Sequence, residues 1–507
     1  MSLRPDPNEL ARHARELGFP LAEGEDETMS KVVLDLLGDY SLLERTTGWP
    51  VPGEAPEGRS GARPPAEENP HSGWSWKGAI AGSSSGPLAG CQVALKDTIA
   101  VAGTPMLNGS PVMEGYVSRR DATVVTRLLE AGAEIAGKTA VPAFCFEGAG
   151  ISGYPEPFPV NPRAKDRMPG ASSSGCAAVV AGGEVPYAIG GDQGGSIRIP
   201  ASWCGLVGLK PTFGLVPYTG VFPIEITLDS IGPMTQTVRQ AAELLTAIAG
   251  PDGLDPRQTG VPGGKYLGEL DKGVKGLRIG VLEEGFGFDG VSQGRVDDAI
   301  RERLAELTVD GAELVPVSVP EHREGVTLWN LICIQGATAL FDGQSVGSNL
   351  RGLYSDDLAE FMQEVASKRL HLLPDTLKST LVAGRIVTEE RGWAPYAEAQ
   401  NLALALAKRY DQALADVDVL VMPTTPMVAP PLPSAEDLGS SSTIIDAIGL
   451  DSARNVAPFN VSGHPALSVP AGLDEQGLPI GLMAVGRQAD DAMVLRVGRA
   501  VEKHFQL

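Results

Sequence analysis

The chemistry-bearing residues of this chain concentrate between Met168 and Phe213, in MPGASSSGCAAVVAGGEVPYAIGGDQGGSIRIPASWCGLVGLKPTF. A serine-rich turn, Gly170 to Gly175, runs into a small-residue helix pattern. A strand follows, then Gly190, Gly191, Asp192, Gln193, Gly194, Gly195 and Ser196, then a short helix beginning near Ser196 and Ile197. Consecutive glycines ahead of a serine at a helix start let the backbone approach a ligand closely. They also present unpaired N–H donors at the positive end of a helix. An oxyanion hole needs that arrangement, with donors aimed at an oxygen on which negative charge develops.

A serine there needs a base, and no histidine is evident. The six histidines (13, 71, 322, 371, 464 and 504) show no H-E-x-x-H spacing and no local pairing with acids or cysteines, which argues against a hydrolytic zinc site. His464, in the apolar SGHPALSVPAG, reads as structural; the others read as surface or packing residues. The other base that can activate a serine is a lysine kept neutral by desolvation. Lys96 ranks first, because it sits inside the apolar VALKDTIAVAG between Leu95 and Ile99. A lysine in a buried strand needs a reason. Lys138 and Lys210 also border apolar strands and read as edge or snorkelling lysines. Competing motifs fail on context. The G-x-S-x-G at 82–86 lies in a low-complexity arm with no strand before it. The G-x-G-x-x-G strings at 148–153 and 285–290 read as loop glycines.

Three zones of the chain supply the elements that must hold these residues. Residues 1–48 carry helical spacing, as in Val32, Val33, Leu36 and Leu37. From Trp49 to Gly90 the chain is rich in Pro, Gly and Ser and reads as a wrapping arm or linker. From Cys91 onward, strands predicted at 92–97, 133–139, 185–191, 276–283, 416–423 and 465–471 alternate with helices predicted at 122–132, 237–250, 295–307 and 399–415. That alternation predicts an α/β fold with a mixed or largely parallel sheet. The 507 residues, 43% hydrophobic and 21% charged, suit one large domain or one large and one small. Acids outnumber bases 63 to 41, for a net charge of −22 with no basic block, which excludes a nucleic-acid surface. Five scattered cysteines without C-x-x-C imply free thiols in a reducing compartment. No run approaches the roughly 18 apolar residues of a membrane span. The N-terminus lacks the apolar run of a signal peptide, so a cytoplasmic protein without a membrane partner is expected.

The run GGDQGGSIRIPASWCGLVGLKPTFG closely resembles the signature of the amidase signature family, and KDTIAVAG, APFNVSGHPALSVPAG and GLPIGLMAVG extend the resemblance from Cys91 to the end. The resemblance implies a large mixed β-sheet surrounded by α-helices, a Ser–cis-Ser–Lys triad, and no metal or organic cofactor. Carried over residue by residue, Ser196 is the nucleophile and Lys96 the base. The family's G-G-S-S-G-G turn reads Gly170, Ala171, Ser172, Ser173, Ser174, Gly175 here, so three serines compete for the bridging place. The family's spacing to the nucleophile selects Ser172, leaving Ser173 and Ser174 as turn-forming hydrogen bonders. The resemblance further implies an oxyanion hole of the amides of Gln193, Gly194, Gly195 and Ser196, supported by Asp192 and Arg198.

Gln193 in D-Q-G-G-S and the stretch 214–225 resemble bacterial enantioselective amidases within that family, which accept small aliphatic and aromatic amides. This implies a homodimer formed through an N-terminal helical extension and arm (1–70) ahead of a catalytic domain (71–507). Phe144, Phe146, Trp203, Trp329 and Leu450 are candidates for an apolar pocket; Cys145 and Cys176 read as small packing residues. The expected activity is hydrolysis of small carboxylic amides. Anilides, carbamates and urea-like bonds are alternatives for the same triad. A glutamine-hydrolysing amidotransferase subunit is the alternative from another class, whose members usually carry Thr where this chain has Gln193.

Overall fold

Val93, Ala94, Leu95 and Lys96 are consecutive in one strand and all four are buried. Successive side chains of a strand point to opposite faces, so a strand buried on both faces must lie inside a sheet covered on both sides. The structure, a computed structural model, describes residues 6–19, 21–22, 25–45, 59–258, 263–344, 351–366, 368–433 and 449–505. It divides into two compact units, Met1–Pro52 and Gly53–Leu507.

The first unit carries helices at Pro7–Glu16, Glu25–Gly38 and Ser41–Arg45. The first begins in a capping box, in which Glu9 N–H donates to Asp6 Oδ1 at 2.9 Å and Asp6 N–H to Glu9 Oε2 at 3.0 Å. Leu17, Val32, Leu36 and Leu43 are exposed on this unit.

The second unit is built on one sheet, with twelve strands among the described residues: β1 (Gly61–Ala62), β2 (Trp74–Ile80), β3 (Gln92–Lys96), β4 (Glu134–Thr139), β5 (Tyr187–Asp192), β6 (Val207–Lys210), β7 (Ser230–Thr235), β8 (Arg278–Leu282), β9 (Glu313–Val317), β10 (Val419–Pro423), β11 (Ala466–Leu473) and β12 (Pro479–Val485). Their order is β1-β2-β4-β3-β5-β7-β6-β11-β12-β10-β8-β9. The strands β4, β3 and β5 run parallel, as do β10, β8 and β9; the pairs between these groups are antiparallel, so the sheet is mixed. Helices surround it, as the α/β expectation required. Among the described residues no helix is long and apolar enough to cross a membrane.

Each of the six predicted strands and four predicted helices in this body lies where its spacing put it, within a few residues. The arm does not stay a linker. Its residues 61–62 and 74–80 become β1 and β2, with Trp74 and Trp76 buried against the sheet. Two tryptophans in a Pro/Gly/Ser-rich segment bring more apolar area than a solvated arm can leave in water.

Candidate active site

The carboxyl ends of the parallel strands β3 and β5 lie side by side, with Leu95 opposite Ile189. Lys96 closes β3 and Asp192 closes β5, at the sheet edge where open α/β folds collect ligands. The Ser172 turn enters the helix Ser174–Ala181, whose small side chains (SGCAAVVA) let it lie close on the sheet. The Lys96 Nζ donates to Ser172 Oγ at 2.7 Å and to the Gly191 carbonyl at 3.2 Å, and both residues are fully buried. The Ala171–Ser172 peptide bond is cis.

The other two serines of the turn behave differently. Ser173 Oγ donates to Gly191 O at 3.0 Å and accepts from Gly191 N–H at 3.2 Å, and the Ser173 N–H donates to Ser196 O at 3.1 Å. Ser173 therefore ties its own turn to the end of β5 and to the Ser196 turn. Ser174 Oγ is buried and makes no hydrogen bond among the described residues, so only Ser173 acts as the expected turn bonder. No hydrogen bond joins the hydroxyls of Ser172 and Ser196.

Beneath the 193–197 turn, Asp192 accepts from Arg198 Nε and Nη2, both at 2.9 Å. It also accepts from Ile197 N–H at 3.1 Å and Asn460 Nδ2 at 2.9 Å. Burial alone would raise the Asp192 pKa, but the Arg198 guanidinium overcomes it and holds the carboxyl well below the usual range. Arg198 reaches on to Val456 O at 2.9 Å and Asn460 Oδ1 at 2.7 Å. Asn460 was not singled out from the sequence; its signal was its place within APFNVSGHPALSVPAG.

The expected oxyanion set needs one correction. The Gly195 N–H is already donated to Asp192 Oδ1, at 2.8 Å, because the carboxylate sits under the turn it stabilises. The amides of Gln193, Gly194 and Ser196 meet no acceptor among the described residues. Gly195 holds φ +119° and packs so closely on Val456 that a Cβ would overlap it, so only glycine serves at this corner.

Ser196 opens on a cavity of about 320 Å³. Phe146, Trp329 and Leu450 line it, with Ile199, Ile224 and Ile334. Trp329 Nε1 donates to Gln193 O at 2.6 Å, which fixes one wall to the turn. Phe144 and Trp203 do not reach the cavity. Phe144 is packed between Phe222 and Phe341, while Trp203 is fully buried with Nε1 on Met427 O at 3.2 Å. Large aromatics beside glycine turns fill core and cavity wall alike. The helices Gly325–Asp342 and Asp375–Arg391, which supply Asn330, Cys333, Thr376 and Ala383, were not foreseen. Cys145 also lines the cavity, whereas Cys176 is buried beside Thr139, with burial pushing its thiol up to about 11.

Also in the cavity lining, Glu147 accepts from the amides of Ala149, Gly150 and Ile151 and from Ser152 Oγ. The glycine string 148–153 is thus a carboxylate nest. Lys138 and Lys210 are not edge lysines. Both are buried because β4 and β6 are interior strands, where no route leads a side chain to water. Lys138 Nζ lies 2.7 Å from Asp97 Oδ1. Burial, then the Arg198 charge, brings the Lys210 pKa down to about 7. His464 is buried between Ser462 and Asp411, as its structural reading required.

Comparison with known proteins adds a second line of observation. Residues 71–495 match the family model described as Amidase. An enantioselective amidase of Rhodococcus rhodochrous is 43% identical over 465 residues, 90% of this chain and 87% of that one. A glutamyl-tRNA(Gln) amidotransferase subunit from Haloarcula marismortui is 38% identical, over 83% of this chain and 97% of that one. Among solved structures, the native peptide amidase of Stenotrophomonas maltophilia superposes with a TM-score of 0.65 at 32% identity, covering 83% of each chain.

Proposed function

The chain belongs to the amidase family and is an amidohydrolase, and from that premise we propose that it hydrolyses small, uncharged carboxylic amides through Ser196, Ser172 and Lys96. The observation that carries this reading is the buried 2.7 Å contact of Lys96 with Ser172, beside a Ser196 that opens on an apolar cavity. In the proposed reaction, Ser196 Oγ attacks the substrate carbonyl carbon. Its proton passes to Ser172 Oγ, whose own proton passes to Lys96 Nζ. The Ser196 hydroxyl turns towards Ser172 for this step. The amides of Gln193, Gly194 and Ser196 meet the charge that develops on the carbonyl oxygen. The proton then returns to the leaving nitrogen and ammonia or an amine departs; water attacks the ester on Ser196 with its proton taken by the same relay, which returns it to Ser196 Oγ as the acid leaves.

The cavity lining favours neutral acyl groups over glutamine. Among the described residues it contains no lysine, arginine or histidine to receive a glutamine α-carboxylate. Its carboxylate, Glu147, is already occupied by backbone donors. An unpaired charge in such a site is costly. We also propose that the N-terminal extension and arm (1–70) mediate a homodimer, which the exposed Leu17, Val32, Leu36 and Leu43 support; a monomeric mass in solution scattering would overturn it.

The test is ammonia or amine release by the purified chain from benzamide, an aliphatic amide, a nitroanilide, an aryl carbamate and glutamine, each beside Ser196→Ala. Turnover of the amides that disappears in the variant is expected. Turnover of glutamine alone, and only after a partner protein is added, would replace this reading with that of an amidotransferase component.

A further inference from the structure

Gln193 is 6% exposed, and its side-chain oxygen is left without a donor among the described residues. Its orientation is set by the groups around it. Gln193 Nε2 donates to Tyr218 Oη at 3.0 Å, and the Tyr218 hydroxyl spends its own proton on Phe222 O at 3.1 Å. The tyrosine can therefore only accept from Gln193, which places the –NH₂ of the carboxamide on Tyr218 and leaves Oε1 as an acceptor. Tyr218 is itself held by the Arg257 guanidinium, 4.5 Å from its ring centroid, and by Asp255 on its backbone N–H at 2.8 Å. A buried carbonyl oxygen without a donor destabilises the protein until something supplies one.

The carboxamide lies close to the reacting groups. A Cβ built on Gly191 would stand 3.2 Å from Gln193 Nε2 and 3.4 Å from Lys96 Nζ, so amide and amine flank one glycine. Gln193 also lines the cavity on which Ser196 opens, and its free backbone N–H is one of the three open donors. One residue thus offers a donor and an acceptor, the complement of a carboxamide, which brings a C=O and an N–H.

We propose that Gln193 Oε1 accepts a hydrogen bond from the N–H of the substrate's scissile amide, so that this residue sets the preference of the site for amides bearing an N–H over esters of the same acid. The proposal rests on the hydrolase reading above and adds to it the group that recognises the leaving nitrogen. A site built to bond an N–H discriminates strongly against the analogue that lacks one, because its buried acceptor is then left unpaired.

The experiment compares benzamide and methyl benzoate as substrates of the wild-type chain, Gln193→Met and Tyr218→Phe. Methionine is close to glutamine in length and bears no carbonyl acceptor. Gln193→Met is expected to lose about ten- to a hundredfold in kcat/KM on benzamide, with the ester changed by less than about threefold. Tyr218→Phe frees the carboxamide to turn and gives a smaller loss of the same amide-to-ester ratio, so the proposal stays testable if the Met variant folds poorly. Equal losses on both substrates would overturn it and leave Gln193 as a residue that positions Lys96. An unchanged ratio in both variants would also overturn it. Failure of the wild-type chain on both substrates would sink the hydrolase reading itself.

Discussion

On the floor of the cavity, Asp192 alone accepts five hydrogen bonds from Gly195, Ile197, Arg198 and Asn460, and every one of these groups is buried. Across the cavity, the wall formed by Gly325–Asp342 and Asp375–Arg391 is held by close packing as well as by hydrogen bonds. Gly384 lets the two helices approach until a Cβ there would overlap Thr338, and Gln335 Nε2 spans to Thr388 Oγ1 and Gly392 O, both at 3.1 Å. The floor is over-determined: moving any member strands a charge or a polar group away from water. The wall is held largely by shape, and apart from Trp329, whose Nε1 bonds Gln193 O, an apolar side chain facing the cavity can change without leaving a polar group unpaired. A floor of this kind fixes a reaction, while a wall of this kind adjusts what it acts on.

The sharpest way to break that contrast is at the relay. Lys96→Met removes the base while keeping an unbranched side chain in the strand. Turnover is expected to fall by about 10⁴-fold or more, measured by ammonia release. Residual turnover within tenfold of wild type would mean that Lys96 is structural. Next in size is Arg198→Met, which leaves Asp192 buried without its cation. Breaking a buried pair from one side costs about 3–5 kcal/mol, so the urea midpoint should drop steeply. A loss below about 1 kcal/mol would show the floor to be less constrained than its bonds suggest.

The two halves were unequally legible in the amino-acid sequence for the same reason. Lys96, the serine turn and the D-Q-G-G-S turn are short, local strings whose residue types state their purpose. Asn460, 268 residues from Asp192, could be read only from the motif around it. The wall carries no such mark. Gly325–Asp342 is buried around much of its surface, so it lacks the polar stripe that makes a helix readable, and which of its residues face a cavity depends on packing. Phe144 and Trp203 fail as pocket residues on the same ground, since an aromatic side chain is apolar in both places. The strand β2 was hidden by the composition of its neighbours.

A pH experiment separates structural polarity from the reacting groups. His322 is buried; Tyr410 Oη lies 2.7 Å from Nδ1 and Asn455 Oδ1 2.9 Å from Nε2. Burial pulls its pKa from 6.5 down to about 4. Above pH 6.5 the imidazole is neutral in both states and its network contributes in full. As pH falls below 6.5 the unfolded chain takes up a proton that the folded chain refuses until about pH 4, so stability falls across that window. At 1.36 kcal/mol per tenfold the loss from this one group is about 3 kcal/mol. His464, lowered to about 4 by burial in the same way, adds to the slope. Unfolding free energies at several pH values check this, and His322→Gln should remove part of the slope while leaving that of His464. A flat profile from pH 6.5 to 4 would contradict the burial of both rings.

The smallest expected effect on the fold is also the one that tests the wall most directly. Ala383 faces the cavity from Asp375–Arg391, beside Gly384 where the helices touch. Ala383→Leu puts a larger apolar side chain into a space of about 320 Å³ and removes no charged or hydrogen-bonding side chain. If the wall governs only what fits, the thermal midpoint stays near the wild-type value. The kcat/KM for a bulky aryl amide then falls about tenfold or more, while that for a small aliphatic amide holds. The outcome that would sink the contrast is an equal fall for both amides with the midpoint unchanged. Filling the wall would then be felt at the floor, and the Trp329 bond to Gln193 O would be the path to examine, since it is a direct hydrogen bond from the wall to the turn that carries Ser196.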